Sequence, residues 1–289
     1  PEDIVEIDGV DIVIGTKHRE NLHTLVREFL RKREQIKNVT DVSRYRVFDE
    51  VNVTNFTENT RAFLKIQDGC NNFCSYCIIP FARGPVRSRS KDSILEEANH
   101  LVANGYHEIV LTGIHTGGYG QDLDHYTFYN LLVDLSHIEG LKRIRISSIE
   151  INELTEEIIQ LLASHSVFAK HLHIPLQSGS DEILVNMRRK YNKKEFKEHI
   201  DWIRSLIPGI AITTDVIVGF PGETDEMFEE MREFIEDIHF SELHVFPYSK
   251  RSGTKAAEMK NQINGIVKSM RVNQLLDLNE KLATRFIEN

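Results

Sequence analysis

Three cysteines, the only ones among the 289 residues, lie within one short run and are the residues best suited to redox chemistry. They are Cys70, Cys74 and Cys77, spaced Cys-x₃-Cys-x₂-Cys. Three thiolates that hold a four-iron cluster would leave one iron open to a small molecule, because such a cluster takes four ligands when saturated. An alternating segment just before the run, residues 62–66, predicts a strand that carries this loop.

A cluster with one open iron on a loop after a first strand is what radical chemistry on S-adenosylmethionine (SAM) requires. The cluster gives an electron to the SAM sulfonium, which breaks to yield an adenosyl radical. Other interpretations stay open. The odd count disfavours disulfides. Zinc bound by three cysteines and one of 13 histidines is compatible with the count, and so are three inert, buried thiols.

Composition limits the class of protein. With 40% hydrophobic and 27% charged residues, the chain has the composition of a soluble globular protein. No signal peptide opens it and no apolar run approaches the ~20 residues of a membrane span, so we expect a cytoplasmic protein with no membrane partner. The net charge of −9 argues against a dedicated nucleic-acid-binding module but not against local basic patches. Because Pro1 is not methionine, we expect a fragment or a processed product.

Strands alternate with amphipathic helices from residue 61 onward. Strands are predicted at 62–66, 108–113, 142–147, 171–175, 211–219 and 242–247. Six such repeats predict an α/β fold, a parallel sheet with right-handed crossovers that forms an open, partial (βα)6 barrel. Ligands of these folds bind at the carboxyl ends of the strands.

The remaining segments suggest four parts. Residues 1–35, with a strand at 10–15 and a helix at 18–33, predict the remnant of an N-terminal α/β domain, since one strand and one helix cannot close a core. Residues 36–60 are predicted as a linker and 61–255 as the barrel. Residues 256–289 are predicted to form a carboxyl-terminal helix that packs on the barrel or leads into a further domain.

Candidate cofactor ligands follow the predicted strands. A glycine-rich loop beginning at Gly113 would let backbone approach a ligand, unless it is an ordinary flexible loop. Period-2 alternation sends Arg145 and Ser147 into the lumen, where Arg145 would meet the SAM carboxylate or extend to the rim. Gln177 would bind a ligand or cap the next helix. The predicted adenosyl pocket on strand five consists of Asp215, Ile217 and Gly219.

Basic residues follow the first, fourth and sixth strands. A single run of basic residues is usually a solvated surface. Three runs, each after the carboxyl end of a strand, would surround one mouth of the barrel and favour a polyanionic substrate. The candidates for contact with this substrate are Arg83, Arg87, Arg89, Arg188, Arg189, Lys250 and Arg251.

From about residue 61 to 254 the chain resembles the radical SAM methylthiotransferases. The motifs that carry the resemblance are Cys70-Asn-Asn-Phe-Cys-Ser-Tyr-Cys-Ile-Ile-Pro80, His173-Ile-Pro-Leu-Gln-Ser-Gly-Ser180 and Thr214-Asp-Val-Ile-Val-Gly-Phe-Pro-Gly-Glu-Thr224. The resemblance implies that the three cysteines bind a radical SAM 4Fe-4S cluster and that Tyr76 packs near the adenine of SAM. Residues 215–222 correspond to the adenine-contacting motif, with Asp215 in place of its first glycine. Thr112-Gly113-Ile114 stands where the superfamily has Gly-Gly-Glu.

The resemblance also implies a reaction. The family inserts a methylthio group into an unreactive C–H bond, and the loop at 113–120 resembles the branch that modifies carbon 2 of N6-threonylcarbamoyladenosine next to the tRNA anticodon. The alternatives are isopentenyladenosine in tRNA, an aspartate of a ribosomal protein or, in another class, a zinc-bearing module without catalysis. The implied partners are the tRNA anticodon stem-loop and an electron donor such as flavodoxin or ferredoxin.

Two parts of the family are missing from the sequence. These are a second 4Fe-4S cluster, held by three further cysteines in the N-terminal domain, and a carboxyl-terminal RNA-binding barrel. The sequence assigns no catalytic residue, oligomeric state, physiological reductant or sulfur donor.

Overall fold

A computed structural model describes residues 2–17, 21–50 and 60–288. The strands are β1 (Ile12–Ile14), β2 (Ile36–Asn38), β3 (Ala62–Lys65), β4 (Gln67–Asp68), β5 (Arg87–Ser88), β6 (Glu108–Thr112), β7 (Arg143–Ile146), β8 (His171–His173), β9 (Ala211–Val218) and β10 (Glu242–Pro247). The helices are α1 (Glu2–Val5), α2 (Leu22–Lys32), α3 (Ile79–Arg83), α4 (Lys91–Ala103), α5 (Phe128–Ser136), α6 (Glu156–Ser164), α7 (Asp181–Asn186), α8 (Lys193–Leu206), α9 (Asp225–Ile238), α10 (Lys255–Glu258) and α11 (Gly265–Glu288).

Six parallel strands follow one another in chain order around an open barrel. β3, β6 and β7 form one hydrogen-bonded sheet, and β8, β9 and β10 form a second. Parallel bridges between Ile144 and Phe168 and between Ser148 and His173 join the two sheets at β7 and β8. The predicted α/β partial barrel of six strands is confirmed.

Alternation along the strands separates the core from the lumen. On β9, Ile212, Thr214, Val216 and Val218 are fully buried against the helices, whereas the intervening residues face the lumen. The helices begin where their sequence provides a cap: Ser90, Thr127, Thr155, Asn192 and Thr224 each accept a backbone N–H of the following turn. Because the barrel strands are parallel and alternate with these helices, the carboxyl ends of the strands lie together at one end of the barrel, the mouth.

The N-terminal segment forms a small unit of its own secondary structure. β1 pairs in parallel with β2, in the register Ile12 to Ile36, and α2 connects them. The predicted strand and helix are present with shorter bounds, although residues 18–20 of the predicted helix lie outside the described residues. The prediction that 36–60 is only a linker is wrong at its start, because β2 and a 3₁₀ turn at Val42–Arg44 occupy it. Residues 51–59 lie outside the described residues.

The final helix packs on the barrel as expected. α11 contacts β10 and α9 and buries Leu275, Leu278 and Leu282. Its Arg271 also enters the interior, where Nη1 donates to Glu223 Oε2 at 2.6 Å. Within the described residues, no helix combines the length and apolarity needed to cross a membrane.

Candidate functional site

The three cysteines lie on a loop that a tight backbone turn closes. β4 and β5 pair antiparallel on either side of it, and the Cys70 N–H donates to Gly84 O at 3.1 Å. Gly69 has φ +77°, and a Cβ there would lie 1.9 Å from Pro85 O, so only glycine fits. The loop therefore has one defined path from the end of β4 to α3.

Ser75 fixes this loop to two other parts of the mouth. Its N–H donates to Met187 O at 3.1 Å and its hydroxyl to Asn186 O at 2.7 Å, both at the end of α7. Its carbonyl accepts the Ala256 N–H of α10 at 2.8 Å. The segments that follow the fourth and sixth barrel strands thus hold the cysteines in place.

A buried guanidinium contacts the second cysteine. Arg189 Nη1 lies 3.4 Å from Cys74 Sγ, Nε donates to the Tyr191 hydroxyl at 3.0 Å, and Nη2 forms an ion pair with Glu150. Burial alone would lower the pKa of Arg189, but Tyr191 and Glu150 raise it above its ordinary value. The charge on this arginine is therefore permanent, and one N–H is directed at a thiol.

A buried imidazole lies near the first cysteine. Burial opposes the charge of His115, but Cys70 and the ion pair with Glu153 raise its pKa to about 10, and its Nε2 lies 3.2 Å from the side-chain nitrogen of Asn72. A Cβ on Gly118 would lie 2.6 Å from His115 Nδ1, and one on Gly117 would lie 2.1 Å from Glu153 Oε2. The glycine-rich loop thus makes room for this pair.

The predicted metal ligands fit a polynuclear cluster better than a single zinc ion. Cys70, Cys74 and Cys77 are free thiols and half-buried. Thiolates on one tetrahedral zinc, with Zn–S bonds of about 2.3 Å, would lie about 3.8 Å apart. Among the described residues, the only group with three ligand atoms within 4.8 Å of one another contains no cysteine. The wider thiol spacing and the N–H that Arg189 donates to Cys74 fit the sulfur environment of an iron–sulfur cluster.

The third cysteine differs from the other two. Burial, together with the neighbouring Cys74 and Cys70, raises the pKa of the Cys77 thiol. This thiol would lose its proton to a bound metal, because metal binding and deprotonation are coupled.

Two predicted adenosyl contacts pack against one apolar cluster. Tyr76 and Ile217 both contact the cluster of Ile183, Met187, Phe220, Tyr248 and Ala256. Burial raises the pKa of Tyr76 well above its usual range, so its ring is a neutral surface. This cluster therefore connects the cysteine loop, which carries Tyr76, to the end of β9, which carries Ile217.

Other predicted cofactor ligands have protein partners. Arg145 Nε lies 3.3 Å from Glu108 Oε1 at the base of the lumen, so its charge has an anion within the protein. The Ser147 hydroxyl lies 2.8 Å from the Thr116 hydroxyl. Gly113 lies against the Gln67 side chain, because a Cβ added at Gly113 would be 2.9 Å from Gln67 Oε1.

At the end of β9, Gly219 has protein neighbours at its amide and at its Cα. Its N–H donates to Glu223 Oε2 at 2.6 Å, and a Cβ there would lie 2.4 Å from Lys268 Cγ. The glycine thus allows the approach of Lys268, and its amide has a partner within the protein. Gln177, at φ +68°, donates its N–H to Asp215 O at 2.9 Å, and the Asp215 carboxylate lies between two histidines.

The predicted basic mouth separates into buried and exposed residues. Arg87 and Arg89 are 2% and 1% exposed, and Arg89 pairs with Glu97 at 2.5 Å. Arg83 donates to Asp68 at 2.9 Å. The burial of Arg87, Arg89 and Arg189 does not fit contact with an external polyanion, whereas Arg83 is partly exposed. Exposed positions are occupied by Arg188, Lys250 and Arg251.

Several residues of the site gave no signal in the sequence. Glu150 and Glu153 cap the 3₁₀ turn at Ile151–Glu153 after β7 and hold Arg189 and His115. A carboxylate three residues before another is a common pattern, and only the fold places these two beside the cysteines.

The family model of the radical SAM superfamily matches residues 64–235. The chain is also 39% identical to the threonylcarbamoyladenosine tRNA methylthiotransferase MtaB of Aquifex aeolicus, over all of this chain and 70% of that protein.

The chain belongs to the radical SAM superfamily and, within it, to the methylthiotransferases.

Two further relatives locate the chain within the family. It is 50% identical to MtaB of Bacillus subtilis, over 99% of this chain and 64% of that protein. It is 41% identical to a tRNA-2-methylthio-N(6)-dimethylallyladenosine synthase of Thermoanaerobacter, over 95% of this chain and 58% of that protein. The chain thus spans 58–70% of the length of these three relatives.

Solved structures agree on the fold. The radical SAM methyltransferase TsrM of Kitasatospora setae superposes with a TM-score of 0.58 at 18% identity, over 68% of this chain and 38% of that one. Coproporphyrinogen III oxidase of Escherichia coli, a radical SAM enzyme, gives 0.54 at 14% identity, over 75% of this chain and 51% of that one. At these identities the likeness concerns the barrel alone.

Proposed function

We propose that this chain is the catalytic barrel of a radical SAM methylthiotransferase that acts on N6-threonylcarbamoyladenosine next to the tRNA anticodon. The observation that carries the proposal is the cysteine loop at the mouth of the six-stranded barrel, with Cys74 and Cys70 each beside a buried cationic side chain. The 50% identity to MtaB of Bacillus subtilis supports the choice of substrate.

Each part of the mouth has a role in this proposal. Cys70, Cys74 and Cys77 hold a 4Fe-4S cluster that, when bound, supplies the electron for SAM cleavage. Arg189, held by Glu150, donates an N–H to Cys74, and His115, held by Glu153, places a second positive charge near Cys70. Tyr76, Ile217 and the cluster they pack against form an apolar wall that excludes water from the adenosyl group. No residue is assigned to radical transfer.

The exposed basic residues are the part of the mouth that would meet RNA. Arg188, Lys250 and Arg251 follow the fourth and sixth strands at the same end as the cysteines. Lysine and arginine side chains bind phosphates without reading base sequence, so they would position the anticodon stem-loop. An electron donor of the flavodoxin or ferredoxin class and a second, sulfur-supplying cluster on a separate N-terminal domain complete the proposal.

The domain boundaries are part of the same proposal. β1 pairs with β2, and α2 connects them. None of the residues of α2 is buried, and Leu22 and Leu30 are about half exposed. This suits a segment that belongs to an N-terminal domain, with residues 61–255 as the barrel and 256–289 leading to an RNA-binding domain. Limited proteolysis should cut between residues 45 and 61 first, and rapid cleavage within 61–255 would contradict the boundary.

The substrate is tested by the nucleosides of cellular tRNA. A strain that lacks this modification, supplied with the full gene, should regain 2-methylthio-N6-threonylcarbamoyladenosine, detected by mass spectrometry of hydrolysed tRNA. Cys77→Ala should abolish the product, while Lys281→Ala, on the exposed side of α11, should retain it. A methylthio group on isopentenyladenosine instead would overturn the substrate, and no methylthio nucleoside of either kind would overturn the function.

A further inference from the structure

Three side chains in the barrel lumen, away from the cysteines, converge on one point. They are His173 on β8, Asp215 on β9 and His244 on β10. The register makes this convergence a property of the fold, since His173 pairs with Thr213 and His244 with Asp215 across adjacent parallel strands. Neither the predicted cofactor contacts nor the cluster chemistry uses the two histidines.

The distances between these side chains suit ligands of one metal ion. His173 Nε2 lies 3.3 Å and His244 Nδ1 3.4 Å from the same oxygen, Asp215 Oδ1. Both contacts exceed the about 2.7–3.2 Å of an N–H···O hydrogen bond. Two ligands bound tetrahedrally at about 2.1 Å lie about 3.4 Å apart. All three ligand atoms lie within 4.8 Å of one another.

The surroundings orient the two rings for this purpose. His173 Nδ1 lies 2.9 Å from the Thr213 hydroxyl, which leaves Nε2 to face the carboxylate. Such a partner on the second ring nitrogen is what orients a metal-bound histidine. The rings of His173 and His244 stack at 5.2 Å and 27°. The His173 side chain is 11% exposed and that of His244 47%, so an ion can enter from the lumen.

We propose that His173, Asp215 and His244 form a binding site for a divalent transition-metal ion, separate from the thiol site. Two imidazoles and one carboxylate are the donor set that zinc and ferrous iron accept, with open positions left for water or a ligand group. The remaining positions would face the lumen. This inference concerns the lumen residues alone and does not depend on the proposed tRNA substrate.

The test is a Zn²⁺ titration of the chain after anaerobic cluster loading, so that the thiolates are occupied, followed by isothermal calorimetry. The wild-type chain should bind one Zn²⁺ that His244→Ala and Asp215→Asn weaken about tenfold or more, the usual size of a lost ligand or of its orienting partner. Glu242→Gln is the matched control, because this exposed carboxylate lies on the same strand and, at 3.9 Å from the other ring nitrogen of His244, is beyond hydrogen-bond distance. It should leave the affinity within about twofold.

A second measurement distinguishes loss of the metal site from loss of folding or of the cluster. In a chain with Cys70, Cys74 and Cys77 changed to serine, Co²⁺ should give a visible ligand-field band with no sulfur charge transfer. His244→Ala, half exposed and confirmed as folded by circular dichroism, should remove that band. No Zn²⁺ or Co²⁺ bound per chain, or equal binding by the wild type and His244→Ala, would overturn the site.

Discussion

Adjacent arginines at the mouth of the barrel have opposite surroundings. Arg188 is exposed at the rim with φ +60°, and that turn directs Arg189 into the interior, where it contacts Glu150 and Cys74. Buried arginines also follow the first strand and lie on α11, whereas Lys250 and Arg251 belong to the rim. The same residue type thus builds the frame of the cysteine loop in one region and an exposed basic surface in the other.

The difference shows that a buried cation needs a carboxylate from elsewhere in the chain. Glu150 is 39 residues from Arg189, and Glu223 is 48 residues from Arg271. Loss of one partner leaves the other charge buried and uncompensated, which is costly, whereas an exposed charge is solvated whether or not it is paired. The inner arginines should therefore govern stability and the cluster, and the rim should govern association.

The largest effect is expected for a buried ion pair. Arg89 and Glu97 have side chains 2% and 4% exposed, so Arg89→Ala should reduce the free energy of unfolding by about 3–5 kcal/mol. Arg251→Ala, the rim control, should change it by less than about 0.5 kcal/mol. Urea denaturation measures both. Equal losses in the two variants would remove the distinction between frame and rim.

The second effect is a dependence of stability on pH. The pKa of His115 is raised to about 10 through Cys70 and Glu153, against the effect of burial. Its protonated form therefore stabilises the folded chain fully below about pH 6.5, its ordinary pKa. This contribution should decline as the pH rises and vanish above about 10. Denaturation of the cluster-free chain should show this decline, and His115→Gln should flatten it; an unchanged slope in that variant would refute the assignment.

A third effect concerns the cluster itself. Arg189→Gln removes a charged N–H donor from Cys74, and hydrogen bonds to cluster sulfurs raise the reduction potential, so the potential should become more negative. Electron paramagnetic resonance during a redox titration measures it. The exposed neighbour serves as control, since Arg188→Gln should leave the potential unchanged. Identical shifts in both variants would mean that only net charge matters.

The smallest effect on the protein is expected at the rim. Lys250→Ala and Arg251→Ala should leave the melting temperature nearly unchanged and weaken tRNA binding. Each change should reduce the slope of log affinity against log salt concentration by about one. Fluorescence anisotropy with an anticodon stem-loop measures this. An unaltered slope in the double variant would place the RNA surface elsewhere.

Sequence patterns predict the barrel well because its strands and helices are long and periodic. All six barrel strands are predicted within a few residues, and the odd positions of β9 are predicted to face the lumen. β2 escapes prediction because its three residues, Ile36–Asn38, carry no alternation and gain stability only from pairing with β1. Local pattern thus identifies elements that bury a face by themselves.

The site is less predictable because it depends on partners distant in sequence. Spacing identifies Cys70, Cys74 and Cys77, but nothing in the sequence connects Glu150 to Arg189 or Glu153 to His115. Runs of arginine are also predicted to face solvent, whereas the fold directs Arg87 and Arg89 inward. Charge counted along the chain therefore overestimates the basic surface of the mouth.

The central claim is that the three cysteines hold a SAM-cleaving cluster, and one measurement tests it directly. After anaerobic reconstitution and reduction, the chain should contain about four irons and convert SAM to 5′-deoxyadenosine and methionine. Replacement of Cys70, Cys74 or Cys77 by alanine should abolish both properties, while Arg251→Ala should retain them. Stoichiometric zinc without iron, or an iron-loaded chain that yields no 5′-deoxyadenosine, would contradict the account.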